Sequence, residues 1–346
     1  MINGIQQVGI GTPNVYESFK WYRRNFGFDV PVFDEAAEAP LMTQYTGDKV
    51  QSRHAVLAMN LNGGGGMEIW QYTSREPAAQ LEFSLRRPGL LVTRIKCDDA
   101  DHAHRSLASF NPSEVVTDPM GKRAFSVVDP YGNPFIIAES DSWYKRRKQQ
   151  FGGIEGIVIG VTNMDRSMKF YREVMGIDKV LSDEERVFDD FKGLKDGDQT
   201  YRRVRLVPSH RNTGAFSKVF GEFFLELIEV KSAENMDHNM KGRYWGDQGY
   251  IHLCFDVNKM DQIKMRADQL NNPFTVDTGD TFSMGDAAGR FAYIEDPDGT
   301  LIELVETEKL TISKKLGWRI NLSESRKNKP LPDFIFSVIR STRVKD

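Results

Sequence analysis

The feature that most constrains the fold of this chain is an internal repeat. Residues Val8 to Val30 read VGIGTPNVYESFKWYRRNFGFDV, and Ile157 to Val180 read IVIGVTNMDRSMKFYREVMGIDKV. Asn14 matches Asn163, Ser18 matches Ser167, Tyr22 matches Tyr171, Arg23 matches Arg172 and Gly27 matches Gly176, all at one offset of 149 residues (14 to 163, 27 to 176). A second match follows, DPYGNPFII from Asp129 and DPDGTLIEL from Asp296, at an offset of 167 (129 to 296). The chain therefore divides into two homologous units of roughly 150 residues, each a supersecondary assembly in its own right. The expected division is 1–143 for the first unit, 144–150 for a charged linker (YKRRKQQ), 151–308 for the second unit and 309–346 for a C-terminal extension.

Within each unit the elements follow from hydrophobic periodicity. The apolar runs Ile5 to Ile10 and Ile154 to Val161 read as strands. Val15, Phe19, Tyr22 and Phe26, and likewise Met164, Met168, Tyr171 and Met175, recur at helical spacing. Gly27 and Gly176 stand where a left-handed residue would end each helix. Strands follow at Ala55–Leu61, Met67–Tyr72, Arg202–Val207 and Phe223–Val230, and the glycine run Gly63–Gly66 reads as a flexible hairpin tip. The pattern then restarts. Leu91–Cys97 and Tyr250–Val257 read as strands, Asp99–Phe110 and Lys259–Leu270 as helices, and two more strands end at Phe135–Glu139 and Leu301–Glu306. The fold class is α+β, with four β-α-β-β-β modules in two units. The tail, containing KPLPDF (Lys329 to Phe334), is expected to pack back on the body.

Composition excludes several classes. The 46 Lys plus Arg nearly balance 49 Asp plus Glu, against a dedicated nucleic-acid binder. No run approaches the roughly 18 apolar residues of a membrane helix, and Met1 to Gly11 carries no signal-peptide pattern. Two cysteines, Cys97 and Cys254, cannot staple a chain of 346 residues, so reduced, cytoplasmic residence is the expectation.

The module order, the opening IQQVGIGT, the helix segments SFKWYRRNFGF and SMKFYREVMGI, the strand GYIHLCFDV and the DP-x-G strand ends resemble the vicinal-oxygen-chelate superfamily over about residues 1 to 308. That superfamily includes glyoxalase I, extradiol dioxygenases and the bleomycin- and fosfomycin-resistance proteins. The resemblance implies paired units with curved mixed sheets and four metal-ligand positions per unit. On this sequence those positions are Gln7, Glu68, Val92 and Ile136 in the first unit, and Gly156, Glu226, His252 and Glu303 in the second. Neither set is complete. In fused glyoxalases the first two positions of one unit meet the last two of the other. That pairing gives one intact quartet, Gln7, Glu68, His252 and Glu303, and one without a full donor set, Gly156, Glu226, Val92 and Ile136. One site per chain is implied.

One imidazole, two carboxylates and an amide suit a single Zn, Ni, Co or Mn ion, with Fe less favoured. The implied activity is a metal-dependent isomerase or lyase of glyoxalase type. It would act on a small α-hydroxycarbonyl-like substrate through an enediolate, with Glu303 as base and Glu68 serving the opposite face. The positions that hold glutathione in glyoxalase I correspond to Gly11 and Tyr72, so a different substrate is expected. Alternatives are a non-catalytic binding protein of the resistance type and an iron-dependent ring-cleaving dioxygenase, the latter disfavoured by a single ligand histidine. Assembly as a monomer or a homodimer is open.

Each residue also has a structural reading. His252 suits an apolar core, Glu303 a strand edge, and Glu68 a solvent face beside the glycine run. A one-residue slip would exchange Gln7 with Gln6. Glu226 is a remnant ligand or a salt-bridge partner. Cys254 shares the His252 face. Trp70, Tyr72 and Tyr250 line a pocket or fill the core. His54, His102, His104, His210 and His238 fall outside the ligand positions.

Overall fold

The computed structural model describes residues 1–146, 149–210, 212–229, 237–279, 282–284, 287–313, 317–322 and 324–345. Arg147 and Lys148 of the expected linker, and Val230 at the end of an expected strand, lie outside them. In the first half of the chain the order is β1 (Ile2–Gly11), α1 (Val15–Phe26), β2 (Val30–Glu38), β3 (Ser52–Met59), β4 (Gly66–Tyr72), β5 (Gly89–Cys97), α2 (Ala100–Ser106), β6 (Val116–Thr117), β7 (Arg123–Val128) and β8 (Pro134–Glu139). The second half continues with β9 (Phe151–Val161), α3 (Met164–Glu173), β10 (Lys179–Arg186), β11 (Tyr201–Val207), α4 (Ser217–Phe220), β12 (Phe224–Glu229), β13 (Gly249–Val257) and α5 (Met260–Gln269). It ends with β14 (Val276–Asp277), β15 (Phe282–Met284), β16 (Ala287–Glu295), β17 (Leu301–Ser313), β18 (Trp318–Asn321), α6 (Glu324–Lys327) and α7 (Asp333–Arg340).

The strands form two curved mixed sheets, and each sheet takes strands from both halves. One runs β14-β16-β17-β13-β1-β4-β3-β2, with β15 on β16 and β18 on β17; the other runs β10-β11-β12-β9-β5-β8-β7-β6. The halves meet at antiparallel seams, β1 on β13 and β5 on β9. The largest apolar cluster joins both sheets to the helices, through residues such as Val8, Ile10, Tyr22, Phe26, Ile157 and Tyr171. Two further clusters line the trough of each sheet.

The repeated motifs meet in space. Asn14 caps α1, its side chain accepting from the Tyr16 and Glu17 amides at 3.1 Å, and Asn163 caps α3 through the Arg166 amide at 2.9 Å. Such caps satisfy donors that the first helical turn leaves open. The hydroxyl of Tyr22 donates to Asp129, and that of Tyr171 to Asp296 at 3.0 Å. Each DP-x-G aspartate in turn closes its own turn, accepting from Asn133 or Thr300 amides at 2.8 Å. The five-residue identity thus encodes a helix start and a helix-to-turn clamp.

One local expectation is corrected. Gly63 to Gly66 is not a flexible tip; all four residues are buried, Gly63 to Gly65 against the start of β9 and Gly66 against β3. Gly65 exchanges backbone hydrogen bonds with Ile154, and Gly153 donates to Gly63 at 2.8 Å. A Cβ on Gly64 would stand 2.6 Å from the Ile154 carbonyl oxygen. The run consists of glycine because two backbones touch there.

The C-terminal segment packs back as expected. Leu331 donates to the Ala215 carbonyl at 2.9 Å, Ile335 and Phe336 are buried, and the Phe336 ring lies 5.6 Å from that of Tyr144. Among the described residues no helix is long and apolar enough to cross a membrane.

Candidate metal centre

Four adjacent strands of the first sheet, β17, β13, β1 and β4, supply Glu303, His252, Gln7 and Glu68 in that order. The register sets them side by side. Gly9 pairs with both His252 and Glu68, and Cys254 pairs with both Gln7 and Glu303. Strand alternation then points all four side chains to the trough face. The slip that would have substituted Gln6 does not occur: Gln7 is 1% exposed and reaches both carboxylates.

His252 Nε2 lies 3.2 Å from Glu68 Oε2 and 3.0 Å from Glu303 Oε2. Gln7 Nε2 lies 3.4 Å from each of the same two oxygens. Ligand atoms of Glu68, His252 and Glu303 fall within 4.8 Å of one another, and all three residues are buried. Burial alone would lower the His252 pKa, but the Glu303 and Glu68 carboxylates raise it to about 10. Burial opposes charge on Glu68, yet His252 and Arg53 hold its carboxyl below the ordinary value. The charge balance matters: two carboxylates held in a dry trough require a cation, and here a proton on His252 supplies one positive charge.

The donor set fits a divalent ion. Gln7 Oε1 is buried without a hydrogen-bond partner. A half-turn of the amide would exchange oxygen for nitrogen, an orientation favourable beside two carboxylates only with a cation between them. One nitrogen and three oxygens match a borderline divalent metal.

Three neighbours shape the centre, and none was identified from sequence as a site residue. Gly9 leaves the gap in which the imidazole lies: a Cβ there would meet His252 Cε1 at 2.5 Å and Nδ1 at 2.7 Å. The Trp245 ring stacks on His252 at 6.4 Å, and the Tyr293 ring meets it edge-on at 5.7 Å. Tyr293 pairs with Glu303 across the β16–β17 ladder. Burial and the two carboxylates push its phenol pKa well up, which keeps it a neutral donor. Tyr293 was readable as the inward partner of Glu303 once that hairpin was registered; Trp245 lies in a connection with no periodicity.

The remaining candidates separate cleanly. Burial and the nearby carboxylates raise the Cys254 thiol, so it is an inert wall residue. Trp70 and Tyr72 pack with Trp245 behind the centre. Tyr250 belongs to the core between the sheets, where its hydroxyl donates to the Pro134 carbonyl at 2.6 Å and accepts from the Thr93 amide at 3.2 Å. His54 pairs with Asp34 at 2.6 Å near the surface, His102 is exposed, and His104 Nε2 donates to the Ser113 carbonyl at 3.0 Å.

The second sheet repeats the same register with different chemistry. Glu226 pairs with Val158, and Arg94 pairs with Gly156 and Ile136. Val158 therefore stands where Gly9 stands, Arg94 where Cys254 does, and Val92 and Ile136 where His252 and Glu303 do. Arg205 pairs with Glu226 as Leu57 pairs with Glu68. Glu226 is the salt-bridge partner of the two readings: Arg203 Nη2 lies 2.7 Å from its carboxylate, and Arg205 Nε donates to it at 2.9 Å. Arg94 bonds Asp118 at 2.6 Å, and Arg203 bonds Asp190 at 2.8 Å. Burial would raise the Glu226 pKa, but Arg203, Arg205 and Arg94 drive it far down. Guanidinium groups fill the place that a metal would need.

A family model described as the glyoxalase/bleomycin resistance protein/dioxygenase superfamily matches residues 4–137 and 153–304. Among solved structures, a glyoxalase I mutant from Zea mays aligns with a TM-score of 0.55 and 15% identity, covering 88% of this chain and 92% of that one. A putative dioxygenase from Bacillus subtilis aligns with a TM-score of 0.53 and 13% identity, covering 99% and 97%. At these identities the likeness is one of fold. The comparison with curated proteins finds no match.

Proposed function

Because the chain belongs to the glyoxalase/bleomycin resistance protein/dioxygenase superfamily, we propose that it is a metal-dependent isomerase or lyase of glyoxalase type, acting on a small substrate with two neighbouring oxygens. The observation that carries this reading is the convergence of Glu68, His252 and Glu303, with Gln7, in one buried cluster of one sheet only. Gln7, Glu68, His252 and Glu303 would hold the ion. When bound, it would supply Lewis acidity to a carbonyl and its neighbouring oxygen.

The protein's own groups then handle the proton. Glu303 is the base that removes a proton from the hydroxyl-bearing carbon and returns it to the former carbonyl carbon, while the hydroxyl hydrogen passes to the other oxygen, so no proton is gained or lost overall. The Glu303 carboxylate is placed for this beside His252 Nε2, 3.0 Å away, which Glu68 also approaches at 3.2 Å, so the imidazole is not committed to either carboxylate. Glu68 stands on the opposite side of His252 and serves the other face. Tyr293, a neutral phenol beside Glu303, keeps the trough wall polar at that one point. Trp245 and Tyr293 exclude water from the imidazole.

The test is metal content per chain by elemental analysis after reconstitution with Zn, Ni, Co or Mn. One equivalent in the wild type, lost in His252→Ala, supports the reading; solvent-deuterium incorporation into an α-hydroxyketone, lost in Glu303→Gln, supports the base. A protein that takes up no metal overturns the reading and leaves a small-molecule binder.

A further inference from the structure

The trough that holds the quartet continues into a cavity of about 560 Å³, within the usual range of small-molecule sites. It touches the quartet at Gln7, and its wall also includes Leu57, the register partner of Glu68, and Val305, two residues along the strand from Glu303. Strands β2, β3 and β17 form one side of it, and the facing walls come from outside the repeated modules. Phe220 and its neighbours enter from the connection between β11 and β12, and Phe336 and Ile339 come from α7. Lys218 bonds Asp333 at 2.7 Å, and the Val344 amide donates to the Asp29 carbonyl at 2.8 Å, fixing α7 over the trough.

The chemistry of the lining is one-sided. Among the described residues lining the cavity, no Lys, Arg or His appears, and the single charged group is Asp34, which is exposed and already paired with His54. A carboxylate, phosphate or phosphonate on the substrate would find no counter-charge among the described lining residues and would lose its hydration. The cation already near the quartet, Arg53, is buried and committed to Glu35, its Nη1 donating to the Glu35 carbonyl at 2.9 Å and its Nη2 lying 3.6 Å from the Glu35 carboxylate, and two positions that could bring another are closed. A Cβ on Gly11 would collide with the Asp247 carbonyl, and the Tyr72 hydroxyl is committed to the Trp245 carbonyl.

We infer that the substrate carries its chelating oxygens on an uncharged, apolar body, an alkyl or aryl group seated between the first sheet, α4 and α7. The chelating end rests on the metal reading above; the apolar body rests on the cavity alone. The walls select by length and by the absence of charge.

The experiment is isothermal titration calorimetry of the metal-loaded protein with a series of 1-hydroxy-2-alkanones from four to ten carbons, alongside an analogue ending in a carboxylate. Each added methylene tightens binding about fourfold, which is about 0.8 kcal/mol per buried CH₂, and the terminal carboxylate weakens it at least a hundredfold. Ile339→Asp, on a half-buried position of α7, flattens the chain-length slope while metal content is retained. The same series of plain 1-alkanols on the metal-free protein separates the two readings. A slope there with no gain from the hydroxyketone end supports the apolar body and overturns the chelate. Affinity independent of chain length, or equal affinity for the carboxylate analogue, overturns this inference even when metal is bound. The wild-type slope decides the matter if Ile339→Asp fails to fold.

Discussion

Replacing Glu226 by glutamine tests the contrast between the two sheets. The residue is fully buried, and its carboxylate takes Arg203 Nε at 3.1 Å, Arg203 Nη2 at 2.7 Å, Arg205 Nε at 2.9 Å and a short bond from Arg205 Nη2. Three guanidinium groups (Arg94, Arg203 and Arg205) face three carboxylates (Glu226, Asp190 and Asp118), and all six side chains are at most 2% exposed. Glu226→Gln leaves one positive charge uncompensated where water cannot reach it. Breaking a buried pair in this way costs about 3–5 kcal/mol, which urea unfolding followed by tryptophan fluorescence reads directly. Metal content stays unchanged, because the network belongs to the other sheet. The double variant Arg205→Leu/Glu226→Leu removes one charge of each sign and places at 205 the residue that Leu57 supplies in the first sheet. It recovers at least half of the loss seen in Glu226→Leu alone, as coupled neighbours should. A loss below about 1 kcal/mol for Glu226→Gln, or a double variant worse than the sum of the singles, would refute the view that this network replaces a metal.

Two further perturbations read the first sheet. Gly9→Ala leaves strand geometry allowed but drives a methyl group into the His252 ring; elemental analysis should show metal lost while circular dichroism shows the fold kept. Asp256, buried and bonded by Asn3 at 3.1 Å, has its pKa raised to about 7 by burial and by Glu306, against the Asn3 bond and the Met1 ammonium. A raised carboxyl pKa means that the stability lent by the protonated form is full below the ordinary value of 3.8 and is lost as pH rises through about 7. Asp256→Asn is therefore more stable than the wild type above pH 7, by about 2–4 kcal/mol, with the gap closing toward pH 4 in denaturation series; a gap that widens on acidification would contradict it.

The quartet was legible because its evidence is residue identity at matched strand positions, which survives in one dimension. The resemblance implied those positions and their pairing across the units, and Val92, Ile136 and Gly156, which cannot donate side-chain ligands, left one pairing with a full donor set. The helix starts at Asn14 and Asn163 were legible for a similar reason, since a cap depends on residues three apart. What escaped was created by contacts between distant segments. Arg94 lies on β5 while Arg203 and Arg205 lie on β11, and they become a network only when β5, β9, β11 and β12 are registered. Phe220 and Phe336 sit in separate short helices more than a hundred residues apart, and their shared position over the first trough has no sequence trace. The glycine run misled because a flexible tip and a site of backbone contact demand the same residue. Only the burial of Gly63 to Gly65 against the start of β9 distinguishes them.

The seams between β1 and β13 and between β5 and β9 have a consequence for how the chain holds together. Each sheet is contributed jointly, so the candidate metal centre draws Gln7 and Glu68 from one half and His252 and Glu303 from the other. The peptide link between the halves then acts as a tether, setting the effective concentration of each half in the presence of the other, of order millimolar for a short connection. Any metal affinity of the candidate centre would inherit that tether, because separating the halves parts Gln7 and Glu68 from His252 and Glu303. In assembly terms the chain behaves as a heterodimer whose two subunits are synthesised in fixed stoichiometry and cannot diffuse apart.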